Sequence, residues 1–380
     1  MTEEGNTGTE MGMTRNLREF IYSRLTDLHG DIPYSEAGQG YTNGILKPKY
    51  DAQKDIYMDF LKELEEAVAQ IGASTTMGKS DLIFQGNTTK WKAWGNSMML
   101  RMALRLHKAD PATSKAWAEK AAAAGVMTSN DHIAMIAHTD GPEGINKNGH
   151  GEVFDADGNP RMSKTFVDWL KDDPRLPILA ARRSDGSTKI ADLIGMPNGS
   201  TGATVSDTSI YAEPNRSVIT KRDVPMVLQT YAEVRFMLAE MAVRGWNVVG
   251  DAKTHYEAGV KAAMQMLSGI YPDAAAISDA EVATYLAAKP YDASKGWEMI
   301  SEQYWAATLL NEYEAFSNWR RTGFPTLVPT NDPGNVTGGT IPRRLIYPTG
   351  EGSTNAENYN AAIARQGPND FKTRVWWDKQ

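Results

Sequence analysis

Apolar residues recur at intervals of three and four along several long segments of this chain, and turn-forming residues separate the segments. The first segment runs over Asp51–Ile71 and the second over Thr89–His107. Asp110 and Pro111 then begin a third, which ends at Gly125. This spacing, with an acidic residue before a helix and glycine after it, is typical of amphipathic helices. The sequence therefore predicts antiparallel helices joined by short turns.

The same pattern returns in the second half of the chain. We predict a helix over Val224–Arg244 and its return over Asp251–Leu267, with glycines at both ends of the turn between them. A short helix over Asp279–Ala288 precedes a long one over Ser294–Arg321. Because such pairs leave apolar faces that only a neighbouring pair can cover, they stack into solenoids.

Three residues of the second return helix match a known repeat. Ala252, Tyr256 and Gly259 have the small, aromatic, small spacing of the second helix of a tetratricopeptide repeat. Met264 stands where that repeat prefers proline, so the match is partial. We predict a mostly α fold in which tetratricopeptide-like helical hairpins form a superhelical scaffold with a loop-rich second lobe.

Two stretches lack long periodic segments. Residues 137–218 are rich in Gly, Asn, Asp and Ser, with short apolar signals at Ser163–Leu170 and Leu176–Ala181. Residues 323–380 are similar and rich in proline. We predict one domain over residues 1–380, with the helical scaffold at about 14–136 and 219–322. Irregular segments this long usually carry function, so we expect the ligand site on them.

Charge and cysteine content exclude several classes of function. The net charge is −7, and no basic cluster is larger than a local pair such as Arg182–Arg183, so a nucleic-acid partner is not expected. The chain has no cysteine, which excludes disulfides, thiolate metal sites and a cysteine nucleophile. It also has no run of 18 apolar residues, the length that a membrane-spanning helix needs.

Motifs for cofactors and catalysis fail on spacing. Met77–Ser80 resembles part of a phosphate loop, but alanine stands where the first glycine is required. No two histidines are four apart on a predicted helix, and the serine-hydrolase elbow is missing. Asp155–Asn159 resembles a calcium loop without its glycine and its final glutamate, which leaves a tight turn or a weak cation site. We therefore expect no cofactor, no metal and no catalytic residue.

Four ordered segments and the closing residues carry a resemblance to a known family. The segments are LTDLHGDIPYSE, KWKAWGNSMMLR, YAEVRFMLAE and WRRTGFP, and the ending is VWWD (Leu25–Glu36, Lys90–Arg101, Tyr231–Glu240, Trp319–Pro325 and Val375–Asp378). With them the chain strongly resembles the SusD/RagB family of Bacteroidetes. The resemblance extends from about Arg18 to the end.

The resemblance implies a function and a location. SusD-like proteins are nutrient-binding lipoproteins that capture glycans at the cell surface without catalysis. They pass the oligosaccharide to a SusC-like TonB-dependent transporter in the outer membrane, where a lipid holds them. Family members usually begin with a signal peptide, a lipid-bearing cysteine and further helices. We therefore expect the precursor to carry an N-terminal part, including the lipid anchor, that this chain lacks.

Isolated aromatic rings among polar residues are the candidates for glycan contact. In the resembled family the segment before the YAEV helix commonly carries sugar-stacking rings. We predict ligand binding by Phe154, Trp169 and Tyr211 in that segment, and by Tyr41 in the glycine-rich loop after Ser35.

Residues of the helical segments are assigned to the core instead. Trp91 and Trp94 continue into a methionine stripe, so we expect them to be buried. Arg320 and Arg321 look like structural ties, and buried arginine needs a carboxylate, for which Glu233 or Glu240 is available.

Two other functions fit a helical repeat chain. A helical glycoside hydrolase would need two carboxylates across a cleft, and the abundance of acidic residues does not single out such a pair. A tetratricopeptide-like scaffold would bind peptides in its concave groove rather than on the irregular stretches.

Overall fold

Helices dominate the computed structural model, which describes residues 8–141, 146–200, 204–330 and 332–380. The prediction of a mostly α fold is confirmed. In those ranges the α-helices are α1 (Thr9–His29), α2 (Gly40–Asn43), α3 (Gln53–Gln70), α4 (Thr88–Arg105), α5 (Pro111–Ala124), α6 (Gly149–Ala156), α7 (Lys164–Trp169), α8 (Leu176–Leu179), α9 (Tyr231–Val243), α10 (Ala252–Ile270), α11 (Asp279–Ala288), α12 (Gly296–Ala307), α13 (Glu312–Thr322), α14 (Glu351–Thr354) and α15 (Ala356–Gln366).

The strands are short and pair in twos. They are β1 (Ile32–Pro33), β2 (Tyr50–Asp51), β3 (Ala134–Ile136), β4 (Ala180–Arg182), β5 (Ala212–Pro214) and β6 (Met226–Gln229). Within the described residues β1 pairs with β2, β3 with β6 and β4 with β5, all antiparallel. These pairs fix loops against the helices and form no extended sheet.

The predicted helical pairs pack as expected. Helix α4 contacts α5, and α9 contacts α10, while α1 and α3 pack beside the first pair. The contact between α9 and α10 is close at Gly259, where a Cβ atom would lie 2.5 Å from the Phe236 ring. Trp91 and Trp94 are 3% and 0% exposed, so their assignment to the core is confirmed.

Helix α9 begins later than the sequence predicted. The segment before it forms strand β6, whose Val227 pairs with Met135 of β3. Thr230 then starts the helix with a capping box, in which its hydroxyl accepts from the backbone N–H of Glu233 (3.2 Å) and the Glu233 carboxylate accepts from the backbone N–H of Thr230 (2.8 Å). The expected start at Val224 is therefore wrong, because this capping fixes the boundary at residue 230.

The long helix predicted over Ser294–Arg321 is two helices, α12 and α13. The Thr308 hydroxyl donates to the carbonyl of Tyr304 (3.0 Å), and Leu310 adopts a left-handed conformation with φ of 64°. A left-handed residue cannot continue a right-handed helix, so the chain turns before α13 begins. The prediction of one continuous helix is wrong.

A network of ion pairs is buried where α4, α9, α12 and α13 meet. Arg101 donates to Glu233 (2.6 Å) and Arg105 to Glu314 (2.6 Å). The Tyr304 hydroxyl lies between the two carboxylates, at 3.1 Å from Glu233 and 2.9 Å from Glu314. Burial alone would raise the pKa of Glu314, but Arg105 and Arg101 outweigh it and lower that pKa. The network ties the helical pairs into one scaffold.

The adjacent arginines of α13 find different partners. Arg321 donates to both carboxylate oxygens of Glu240 at 2.6 and 2.7 Å, which confirms one of the two predicted partners. Arg320 donates instead to the backbone carbonyl of Arg343 (2.9 Å), and its guanidinium lies 4.6 Å from the centre of the Trp377 ring. Arg320 therefore ties the C-terminal segment to the scaffold through a backbone carbonyl.

The irregular stretches are anchored to the scaffold by specific contacts. His150 of α6 lies 2.9 Å from Glu312 at the start of α13, and Lys221 pairs with Asp273 (2.7 Å) after α10. Arg365 of α15 pairs with Asp31 (2.6 Å), a residue of the loop between α1 and β1. The contact of His150 holds α6, the helix that carries Phe154, against the scaffold.

Candidate functional site

The four rings predicted to bind ligand lie on different elements. Tyr41 is on α2 and is fully exposed (101%), and Phe154 is on α6 with its ring partly buried. Trp169 ends α7, and Tyr211 directly precedes β5; both are partly buried. Among the described residues no ring contact joins any two of these four. They do not form one platform, and only Trp169 has aromatic neighbours.

Trp169 meets a second tryptophan that the sequence did not single out. Its ring lies 6.1 Å from that of Trp305 on α12, with an interplanar angle of 86°. Phe166, one helical turn before Trp169, packs below them, with its ring 5.0 Å from Trp305. Both tryptophans are partly buried whereas Phe166 belongs to the core. The two indole rings therefore form a pair at the surface, resting on an apolar base.

Local capping and a buried ion pair hold α7 in place. The Ser163 hydroxyl accepts from the backbone N–H of Phe166 at 3.2 Å and so begins the helix. After the helix, Arg175 donates to both carboxylate oxygens of Asp173 (3.0 and 2.7 Å) and to Gln303 of α12 (3.0 Å). Its guanidinium lies 5.8 Å from the centre of the Trp169 ring. These contacts fix Trp169 relative to α12.

A carboxylate completes the pair of rings. The Trp169 indole N–H donates to Glu302 at 3.1 Å. Burial raises the pKa of Glu302, the hydrogen bond from Trp169 partly opposes this, and Glu298 raises the pKa further. Glu298, Glu302 and Trp305 are spaced four and three residues apart on α12, which places them on one helical face. We refer to Trp169, Trp305 and Glu302 as the tryptophan patch.

The tryptophan patch has the chemistry of a sugar-binding surface. Indole faces pack against the C–H groups of a pyranose ring, and a carboxylate accepts hydrogen bonds from its hydroxyl or amide groups. Within the described residues Glu302 has no ion-pair partner, so its remaining lone pairs can accept from a ligand. Sequence reasoning misses Trp305, because its helix is predicted to belong to the scaffold and its contact with Trp169 joins distant parts of the chain.

The possible cation site around Asp155 is occupied by protein groups. The Asp155 carboxylate pairs with Arg222 at 2.7 Å, and the Asp157 carboxylate accepts from the backbone N–H of Asn159 at 2.8 Å. The second contact is that of a tight turn. In the described parts of the chain no group of three or more His, Asp or Glu side chains could hold a metal ion. Of the helices described above, none is long and apolar enough to cross a membrane.

Comparison with known proteins places the whole chain among one set of relatives. The family described as "Starch-binding associating with outer membrane" (SusD-like_2) matches residues 2–348. A chitin-binding protein of known structure is 34% identical, with a TM-score of 0.88, and the match covers 100% of this chain and 83% of that chain. No curated protein sequence matches the chain significantly.

Two further solved structures are similar in the same way. A Bacteroidetes AC2a SusD-like protein is 28% identical with a TM-score of 0.86, covering 100% of this chain and 85% of its own. A chitin-binding SusD homolog from Flavobacterium johnsoniae is 26% identical with a TM-score of 0.83, covering 97% of this chain and 80% of its own.

Proposed function

The chain belongs to the SusD-like family, and from this premise we propose that it binds an oligosaccharide through the tryptophan patch. SusD-like proteins are carbohydrate-binding, non-catalytic and associated with the outer membrane. The chain is accordingly a binding protein and not a glycoside hydrolase. The observation that carries the proposal is the pair of tryptophan rings at 86° beside the carboxylate of Glu302.

Chitin fragments are the first ligand class to test. Two similar structures are named as chitin-binding, whereas the family description names starch. The amide N–H of an N-acetylglucosamine unit can donate a hydrogen bond to Glu302, and the acetyl methyl group can pack against an indole ring. A glucose unit of starch has neither group. We therefore propose that the tryptophan patch prefers N-acetylated sugars.

Isothermal titration calorimetry with chitohexaose and maltohexaose tests this proposal. We expect Trp305→Ala and Trp169→Ala each to weaken chitohexaose binding about tenfold, which corresponds to about 1.4 kcal/mol. The control is Trp117→Ala, because Trp117 of α5 is also a partly buried tryptophan but lies outside the patch. Melting temperatures of all variants separate a loss of binding from a loss of folding.

The possible results show whether the proposed site or the proposed ligand class is wrong. Equal chitohexaose affinity in Trp305→Ala and Trp117→Ala contradicts the site, whereas tighter binding of maltohexaose contradicts only the ligand class. Glu302→Gln keeps the shape of the side chain and removes its charge. We expect it to weaken chitohexaose binding by roughly fivefold, since hydrogen bonds to charged groups are the stronger ones.

We further propose that the protein acts at the cell surface and delivers its glycan to a SusC-like TonB-dependent transporter. The support is the family's association with the outer membrane together with the resemblance carried by the four segments and the closing residues. Affinity purification of the tagged protein from solubilised outer membranes of its native host tests this. Recovery of the protein without a TonB-dependent transporter would contradict the delivery step and leave glycan binding standing.

Phe154, Tyr211 and Tyr41 remain proposed ligand-binding residues outside the tryptophan patch. Phe154 and Tyr211 are partly buried and Tyr41 is exposed, so each can present part of its ring to solvent. They are proposed as secondary contacts for glycans that extend beyond the patch.

A further inference from the structure

A cleft of about 570 Å³ opens between the start of α3, the end of α15 and the C-terminal segment 374–380. Four cationic side chains and one tryptophan ring contribute to its lining, namely Lys54, Arg365, Arg374, Lys379 and Trp376. The chain as a whole is acidic, with a net charge of −7. The concentration of cations in one cleft therefore contrasts with the rest of the molecule.

The two aspartates that line this cleft do not neutralise its cations. Asp31 is buried and pairs with Arg365 at 2.6 Å. Asp378 is also buried, and it is shared between Arg374 (2.7 Å) and Arg343. Because two arginines share the single carboxylate of Asp378, that cluster keeps a positive charge.

The two lysines add to this excess. Lys54 and Lys379 are exposed, and in the described parts of the chain neither has a carboxylate within ion-pair distance. Lys108 lies nearby, with its amine 3.4 Å from the backbone carbonyl of Lys379. Burial lowers the pKa of Lys108, and surrounding arginines lower it further against the opposing effect of Asp378. The cleft is therefore a region of positive potential.

We propose that this cleft binds an acidic saccharide, with Lys54 and Lys379 pairing with its carboxylate or sulfate groups. Trp376, which is partly buried at the wall, supplies an apolar face for the sugar ring. The cleft is too large for an inorganic anion alone, and its volume lies in the range of small-molecule sites. None of these residues belongs to the tryptophan patch, so the inference does not rest on the proposed function.

Calorimetry with trigalacturonate tests the inference on wild type and on the double variant Lys54→Gln/Lys379→Gln. Both lysines are exposed and unpaired in the described structure, so we expect the melting temperature to stay the same. The control Lys189→Gln/Lys295→Gln removes the same charge from two exposed lysines outside the cleft. We expect trigalacturonate affinity to fall roughly tenfold in the cleft variant and to stay unchanged in the control.

Three results would overturn the inference. One is no trigalacturonate binding to wild type, and another is an equal loss of affinity in the two double variants. The third is displacement of trigalacturonate by an equimolar amount of inorganic sulfate, which would mean that only a small anion is bound. Chitohexaose measured on the same variants keeps the two proposals apart, since its affinity should not change when Lys54 and Lys379 are replaced.

Discussion

Trp94 and Trp305 lie on helices of one scaffold, but their surroundings differ. Trp94 is 0% exposed and packs against Phe20, Phe84 and Trp91. Trp305 is partly exposed and meets the ring of Trp169 at nearly a right angle. The first ring is surrounded by protein, so its contribution is to stability. The second keeps part of its surface open, and a ring in that position can contribute to binding.

The carboxylates of the scaffold and of the tryptophan patch also differ, in whether arginines already neutralise them. Burial tends to raise the pKa of Glu240, but Arg321 and Arg244 outweigh it and lower that pKa to about 2. Burial also raises the pKa of Glu302, and the contact that opposes this rise is a neutral indole N–H. A carboxylate already matched by arginines has no capacity left for a ligand. Glu302 keeps that capacity, which distinguishes a binding region from a structural one.

Removing an arginine from the buried ion-pair network should cause the largest loss of stability. Arg105→Met would leave Glu314 and Asp27, which lie 2.6 and 3.4 Å from the guanidinium, without that partner in the core. We expect a loss of about 4–5 kcal/mol in the free energy of unfolding, measured by urea denaturation. The matched control is Arg182→Met, whose ion pair with Asp185 is largely exposed. We expect a much smaller change there, because solvent screens an exposed ion pair.

Replacing Trp94 or Trp305 by alanine should lower stability to different extents in the core and in the tryptophan patch. Trp94→Ala removes a fully buried ring, for which we expect a loss of about 3–4 kcal/mol. Trp305→Ala removes a ring that is partly solvated, so about 1–2 kcal/mol is expected. Thermal and urea unfolding of both variants measure the difference. Equal losses would mean that Trp305 is a core residue and would remove the distinction.

Most of the scaffold could be predicted from the sequence because its signals are local. The limits of α5 follow from Asp110, which caps the helix, and from Gly125 after it. The pairing of Arg321 with Glu240 followed from the need of a buried arginine for a carboxylate. The start of α9 could not be predicted in this way, because strand β6 forms by pairing with β3, which lies about 90 residues earlier.

Helix α15 and the tryptophan patch were missed for different physical reasons. The apolar side of α15 consists of little more than Tyr359, Ala362 and Ile363, and only Ala362 is buried, so the helix gives a short signal within a polar stretch. The contact between Trp169 and Trp305 joins residues far apart along the chain, and no spacing rule brings them together. Trp169 was correctly placed on a short helix, but its neighbour could be identified only from the fold.

Lowering the pH should reduce the stability that Glu240 contributes through its ion pairs with Arg321 and Arg244. The folded pKa of Glu240 is about 2, below its usual value of 4.5, so the unfolded chain binds the proton more readily. Its contribution to stability is therefore present above about pH 4.5 and is lost as the pH falls towards 2. Between pH 6 and pH 4 we expect the stability advantage of wild type over Glu240→Gln to shrink by about 1 kcal/mol. A pH-independent difference in urea denaturation would contradict this.

Replacing Tyr41 should have the smallest effect on stability and affinity. The variant tests how far the ligand-binding region extends. Its side chain is fully exposed, so Tyr41→Ala should change the free energy of unfolding by less than about 0.5 kcal/mol. If its ring is a secondary contact, a long chitin fragment should bind the variant about twofold more weakly, whereas chitobiose should bind it as tightly as wild type. A short ligand can fill the tryptophan patch without reaching a second ring. A loss of chitobiose affinity in Tyr41→Ala as large as in Trp305→Ala would contradict this, because both residues would then belong to one site.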